Sequence, residues 1–178
     1  MNASPPAVGR VVSVNLSTRK GVPKEPVPEA ELRPDLGLVD DAHSGPGLQQ
    51  VSLLASESIE KQRRIFQERL ARGELRKQCR KGYDVIAGLG PGSFAENLTI
   101  EGLPLAQLPL GTRLGVGGEV VLEISRIGKK CHSGCAIFEL LGDCVMPREG
   151  VFARVLAGGV VRPGDEVRVD ECGHSDHQ

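Results

Sequence analysis

Aromatic side chains are scarce: the 178-residue chain has no Trp, one Tyr and four Phe. Single-stranded nucleic acid is held largely by stacking bases on such rings, so that mode of binding has little support here. Excess positive charge is missing too. The formal net charge is -1, which argues against a protein that tracks a phosphate backbone. No apolar run nears the roughly 20 residues that a membrane-spanning helix needs. The opening segment, MNASPPAVGR, has neither a basic n-region nor an apolar h-region, so no secretory signal is expected. Internal repeats and low-complexity segments are also missing. These absences point to a cytoplasmic protein with neither nucleic acid nor membrane as partner. In that compartment the five cysteines stay reduced, as metal ligands, reactive thiols or small core residues.

The length suits one domain with a real core. We expect it over residues 8–170, with flexible tails at 1–7 and 171–178. Residues 8–16, VGRVVSVNL, read as a strand in which Val12, Val14 and Leu16 alternate with Ser13 and Asn15. Pro23, Pro26, Pro28 and Pro34 follow, which excludes a long helix and suits an extended surface excursion. GLVDDAHSGPG, around His43, reads as an ordered loop, and residues 49–55 as a second strand. Residues 56–80 form the one main helix. Ser56 is placed to cap it and Glu57 and Glu60 lie in its first turn. Ile59, Phe66 and Leu70 make its apolar stripe, and Gly73 is a break point. Beyond Tyr83 come short strands at 96–101, 112–116 and 119–127, the last two joined at Gly117-Gly118. Residues 151–157 and 160–169 read as a further pair around Gly158-Gly159. Many short strands, glycine turns and one main helix predict a mainly β fold, a closed or partly closed barrel with short helical turns.

The chemistry concentrates in residues 128–150, GKKCHSGCAIFELLGDCVMPREG. They gather Cys131, Cys135, Cys144 and His132, with Lys129, Lys130 and Arg148. Thiolates are nucleophiles and soft-metal ligands, and neighbouring positive charge favours them. Lys129 and Lys130 directly precede Cys131.

Four segments in this order resemble a known family: VGRVVSVNLS, DAHSGPGLQQVSLLASESIEK, GSFAENLTIEGL and LEISRIGKKC. Together they look like a MOSC domain, the C-terminal domain of molybdenum-cofactor sulfurases that also occurs as small stand-alone bacterial proteins. The resemblance spans about residues 8–169. It implies a strongly twisted β-barrel, association with molybdenum cofactor or sulfur handling, and a key cysteine. By position within GKKC that cysteine is Cys131, as molybdenum ligand or persulfide carrier. It also implies partners: a cysteine desulfurase, or proteins that make or receive the cofactor. Pyridoxal phosphate would enter only through a partner desulfurase. One segment departs from the family pattern: its usual Gly-Asp-Phe-Gly-Glu-Asn is Gly92-Ser93-Phe94-Ala95-Glu96-Asn97 here. The N-terminal barrel domain of larger members has no counterpart.

His43, Glu96, Asn97, Lys129 and Arg148 are the candidate cofactor-binding residues. His43 reads either as a group pointing into a cleft or as a turn residue bonded to its own loop. Asn97 suits a hydrogen bond to an anionic or pterin ligand. Glu96 reads as readily as an acceptor for local N–H groups. Lys129 and Arg148 suit a phosphate, or, for Arg148, a surface ion pair with Glu149 or Glu139. Cys135 is a second thiol that can resolve an oxidised or persulfidated Cys131. Cys144 reads as core packing beside Val145 and Met146. Three functional classes stay open: a molybdenum-cofactor or sulfur-carrier protein, a structural zinc or redox module on Cys131, His132, Cys135 and Cys144, and a bare interaction barrel.

Overall fold

The structure is a computed structural model that describes residues 7–74, 88–130, 138 and 142–170. Strand β1 (Val8–Leu16) is the longest strand among the described residues. Val11 and Val14 are fully buried, whereas Val12 is 37% exposed. The even alternation expected from Val12 through Leu16 is broken by a β-bulge between Val11 and Ser13. One extra residue switches the inward face from Gly9 and Val11 to Val14 and Leu16. Ser13 and Asn15 are thereby turned to the other face, where they too are buried.

The chain continues through β2 (Glu25–Val27), β3 (Ala30–Arg33), β4 (Gly37–Leu38) and β5 (Val51–Ala55) to helix α1 (Ser56–Ala71). After it come β6 (Leu98–Glu101), a 3-10 turn (Leu105–Gln107), β7 (Arg113–Val116) and β8 (Val120–Ile127). A short helix α2 (Met146–Glu149) precedes β9 (Val151–Ala157), β10 (Gly159–Val161) and β11 (Glu166–Asp170). Seven strands close in the order β1-β11-β7-β8-β9-β5-β6 and back to β1. The fold is thus a mainly β closed barrel with one main helix, as the sequence predicts.

Closure depends on β1 serving several partners. On one edge Arg10 to Val14 pair with β6. On the other, Val8 to Arg10 pair with β11 and Val14 to Leu16 pair with β2. The sequence expectation of a hairpin between residues 151–157 and 160–169 does not hold. Pro163 and Gly164 split the second stretch into two strands. β10 pairs with β3 in a separate three-stranded sheet, and β11 pairs with β7 and β1. The proline-rich stretch is correspondingly not a plain surface excursion. It forms β2 and β3, and Lys24 and Leu32 within it are buried.

Two apolar clusters result. The first fills the barrel and includes Val51, Leu53 and Ala55 from β5. Leu54, on the alternate face of that strand, joins the second cluster outside the barrel, with Ile59, Phe66, Phe94, Cys144, Met146 and Phe152. All five residues of β5 are buried, because one face meets the barrel core and the other meets α1.

Helix α1 departs from expectation at its start. Ala55 occupies the N-cap position and Ser56 is the first helical residue, so no side chain caps the helix. Glu57 instead accepts the Gly102 N–H at 2.8 Å, tying the helix start to the end of β6. Gly73 ends the helix at φ +69°, with its N–H donated to Leu70 O and that of Glu74 to Arg69 O. Residues 75–80, part of the expected helix, lie outside the described residues.

Phe66 is the largest side chain joining α1 to the second cluster and is fully buried. Phe66→Ala should lower the unfolding free energy by about 3–5 kcal/mol, read from urea denaturation. A loss below about 1 kcal/mol would mean that α1 rests on the barrel without packing into it.

Candidate functional site

The polar groups of interest collect where β1 ends. The Lys24 and Asp41 side chains are 1% and 2% exposed, and Lys24 Nζ donates to Asp41 Oδ2 at 2.5 Å. The Ser17 N–H, just beyond β1, also donates to Oδ2 at 3.1 Å. The other carboxylate oxygen accepts the His43 N–H at 3.0 Å. Lys24 Nζ lies 3.3 Å from His43 Nδ1, and the His43 side chain is 34% exposed. A cation and an anion are thus buried together, with histidine as their outlet to the surface.

Burial disfavours the Lys24 ammonium and lowers its pKa, and the nearby Lys129 charge acts the same way; Asp41 and Glu96 oppose both. Burial alone would push the Asp41 carboxyl up. Hydrogen bonds from His43 and Lys24 outweigh that cost and hold it well below the usual carboxylate range.

A second wall is the loop over residues 88–97. Gly92 sits at φ +83°, and an added Cβ there would lie 2.1 Å from the Lys24 carbonyl oxygen. Its own carbonyl accepts the Lys24 N–H at 2.8 Å. Only glycine permits that approach of two backbones. Glu96 is fully buried and holds the loop from inside. It accepts the Gly92 N–H at 2.6 Å, the Phe94 N–H at 3.2 Å and the Thr99 hydroxyl at 2.8 Å. Burial raises its pKa, and those donors oppose the rise. Asn97 accepts the Ser52 N–H and hydroxyl at 3.0 and 2.9 Å, and donates to Asn15 O at 3.3 Å. Both side chains therefore bind the loop to β1, β5 and β6.

Ala95, where the family pattern has glycine, keeps the left-handed backbone at φ +64°. Ser93, where that pattern has aspartate, accepts the Gly90 N–H at 3.0 Å. The loop therefore closes by local hydrogen bonds despite both replacements.

The third wall leads to Cys131. The Gly128 N–H donates to Gly150 O at 2.7 Å, and a Cβ on Gly128 would lie 2.5 Å from Pro147 O. Lys129 Nζ sits 6.0 Å from the Phe152 ring centroid, within cation–π range. On the far side of the cysteine-bearing segment, Asp143 accepts Arg148 Nη1 at 2.9 Å and Arg148 Nη2 at 3.2 Å. Arg148 also donates to Gln62 Oε1 at 3.2 Å, on α1. Residues 128 and 143 are thus both fastened to the surroundings of α2.

Of the residues singled out in the sequence, His43 and Lys129 come to this region and Glu96 and Asn97 lie in its wall. Arg148 has Asp143 as its ion-pair partner rather than Glu149; Glu139 lies outside the described residues. Cys144 is 3% exposed in the second apolar cluster, beside Val145 and Met146. Cys131, His132 and Cys135 lie outside the described residues. Among the described residues, no three His, Cys, Asp or Glu side chains are grouped to hold a metal ion. Among them, too, no helix is long and apolar enough to cross a membrane.

Lys24 and Asp41 were missed. Lys24 lies among prolines and reads as solvent-facing, and Asp41 is the second of two adjacent aspartates in a turn-rich loop. The available signal was the strand-like alternation around Lys24, which hides one residue while its neighbours Pro23 and Glu25 are exposed.

The model of one family, described as the MOSC domain, matches residues 40–168. Asp41, His43, Glu96, Asn97, Lys129 and Arg148 fall within the match, and Lys24 precedes it. No curated protein matches the chain. Among solved structures, the YuaD protein from Bacillus subtilis is 15% identical, with a TM-score of 0.67 over 91% of this chain and 95% of that one. YiiM from Geobacillus stearothermophilus is 20% identical, with a TM-score of 0.59 over 94% and 77% of the two chains. YiiM from Escherichia coli is 17% identical, with a TM-score of 0.61 over 92% and 71%. At these identities the likeness is one of fold.

Two outcomes are expected from the site's energetics. Ala95→Gly should raise the unfolding free energy by about 0.5–1 kcal/mol, because it removes a left-handed alanine at some entropic cost; urea denaturation would read it. Asp41 has its pKa depressed by folding, so its contribution is full at neutral pH and fades as pH falls below about 4. Asp41→Asn, which leaves Lys24 uncompensated, should cost about 3–5 kcal/mol at pH 7. It should also flatten the acid limb of a stability-against-pH curve. An acid limb as steep as that of the parent chain would put the titrating group elsewhere.

Proposed function

The chain belongs to the MOSC domain family, and on that premise we propose that it binds molybdenum cofactor or carries sulfur through Cys131. The observation that carries the reading is the buried Lys24 ammonium, 3.3 Å from His43 Nδ1 and near enough to Lys129 of the GKKC segment to feel its charge. A thiolate is favoured where cations collect. This segment brings its own two lysines beside a barrel end that already holds a buried ammonium.

In the carrier version, the Cys131 thiolate attacks the terminal sulfur of a persulfide on a partner cysteine desulfurase. The sulfur–sulfur bond of the donor breaks, a new one forms at Cys131, and the donor cysteine leaves as thiolate. No net oxidant or reductant is consumed. Pyridoxal phosphate stays with the partner.

The donor set also suits the cofactor, which is an anionic, phosphate-bearing pterin. Cys131 would hold the metal, and Lys129 and His43 would face the anionic groups. When bound, the cofactor supplies a metal centre that exchanges oxygen or sulfur. The chain's own residues orient and exclude. Asp41 holds Lys24 and the His43 backbone in place, and Glu96 and Asn97 fix the loop that covers Lys24. Arg148 fastens Asp143 at the end of the cysteine segment, a supporting role rather than a phosphate contact.

The zinc or redox module is disfavoured by Cys144, whose side chain is packed among Leu54, Phe66 and Phe152. The deciding measurement is elemental analysis with intact mass on protein purified without reductant, comparing the parent chain with Cys131→Ala. We expect molybdenum or one added sulfur in the parent and neither in the variant. Stoichiometric zinc in both, with no molybdenum and no added sulfur, would overturn the proposal.

A further inference from the structure

We infer that Lys24 fixes the tautomer of His43, so that the neutral ring carries its proton on Nε2 and presents an N–H donor to whatever anion the site holds. The identity of that anion rests on the function proposed above; the tautomer does not.

The argument starts from donor and acceptor capacity. A lysine ammonium has three N–H donors and no lone pair. Lys24 Nζ lies 3.3 Å from His43 Nδ1, so a hydrogen bond between them requires Nδ1 to be the unprotonated acceptor. In a neutral imidazole one ring nitrogen is a donor and the other an acceptor, which leaves the proton on Nε2. The opposite tautomer would aim Nδ1–H at the ammonium. Among the described residues its alternative partner is Asp41 Oδ1, at 3.7 Å, beyond ordinary hydrogen-bond range. That oxygen already accepts the His43 backbone N–H at 3.0 Å.

Asp41 gives the arrangement its sign. Lys24 is almost fully buried, and an isolated ammonium there would be costly. The carboxylate keeps it charged, with Oδ2 at 2.5 Å. A charged Lys24 cannot accept a hydrogen bond, so Asp41 sets the direction of the next one. Lys24 is a positioning residue, acting on the ligand only through the ring of His43. The His43 side chain is 34% exposed, so part of the ring is accessible to a ligand. An acceptor oxygen or sulfur on an anion is the chemistry that such a donor would bind.

The test is two-bond proton–nitrogen correlation NMR on the full, ligand-free chain, labelled with nitrogen-15 histidine, at pH 8. His43→Gln identifies the ring among the four histidines. We expect the Nε2–H pattern for His43, with its Nδ1 resonance displaced by an accepted hydrogen bond. Lys24→Met combined with Asp41→Asn removes both charges together, and the displacement should vanish. An Nδ1–H pattern in the parent chain would overturn the inference without any variant. An Nδ1 resonance unmoved in the double variant would overturn the role of Lys24.

A second arm tests the donor. Gln places an N–H near the Nε2 position and Asn does not. His43→Gln should therefore keep the molybdenum or added sulfur seen in the parent. His43→Asn should reduce it about tenfold, the effect of one charge-assisted hydrogen bond. Equal retention in both would overturn the donor role. If the parent binds neither molybdenum nor sulfur, the proposed function fails, while the NMR result still decides the tautomer.

Discussion

In a sheet that closes on itself every strand has partners on both edges, and here β1 serves three. Its first residues meet β11, its middle meets β6, and its last residues meet β2. The bulge at Val12 makes this possible, because a straight strand of nine residues could not keep one face inward along its whole length. The Lys24–Asp41 pair and the loop over residues 88–97 hang on the second half of that strand. Past the bulge, Asn15 donates to Thr99, which donates to Glu96. Beyond Leu16, the Ser17 N–H reaches Asp41.

The site combines two kinds of support that are rarely interchangeable. Apolar burial holds its rear wall: Phe94 and Met146 share one cluster with Phe66 from the helix. Hydrogen bonds hold its polar lining, and buried polar groups are tolerable only when satisfied. Glu96 meets that condition with backbone donors and a hydroxyl; Lys24 and Asp41 meet it with one another. The two carboxylates respond oppositely to their surroundings. Asp41 is held low by a lysine and a histidine, and Glu96 is driven high by burial. Environment alone assigns them different protonation behaviour.

Much of the architecture was legible in the sequence because strand alternation and glycine turns are local signals. The barrel class, the helix over Ile59 and Phe66, and the hairpin at Gly117-Gly118 follow from spacing that neighbouring residues enforce. What was not legible is long-range. Nothing local in GGVVRPGDEVRV says that Val160 pairs with Glu31 while Val167 pairs with Val116. The same applies to the site. His43 and Lys129 stood out by type and setting. Lys24 and Asp41 become special only once a loop from residue 92 lies across one of them. Asp41 and Lys24 are 17 positions apart, with β2 to β4 between them, and no periodicity links them. Glu96 and Asn97 were found, but their donors on β1, β5 and β6 define their work, and those donors are invisible from the motif.

The fastening of residues 128 and 143 has a further consequence. Gly128 binds Gly150, and Asp143 binds Arg148, so the intervening chain leaves from and returns to one platform around α2. The entropy of closing a loop grows only slowly with its length, by about 0.6 kcal/mol for each doubling. By that measure the platform, rather than the number of residues between them, sets where the two ends of the thiol-bearing stretch stand.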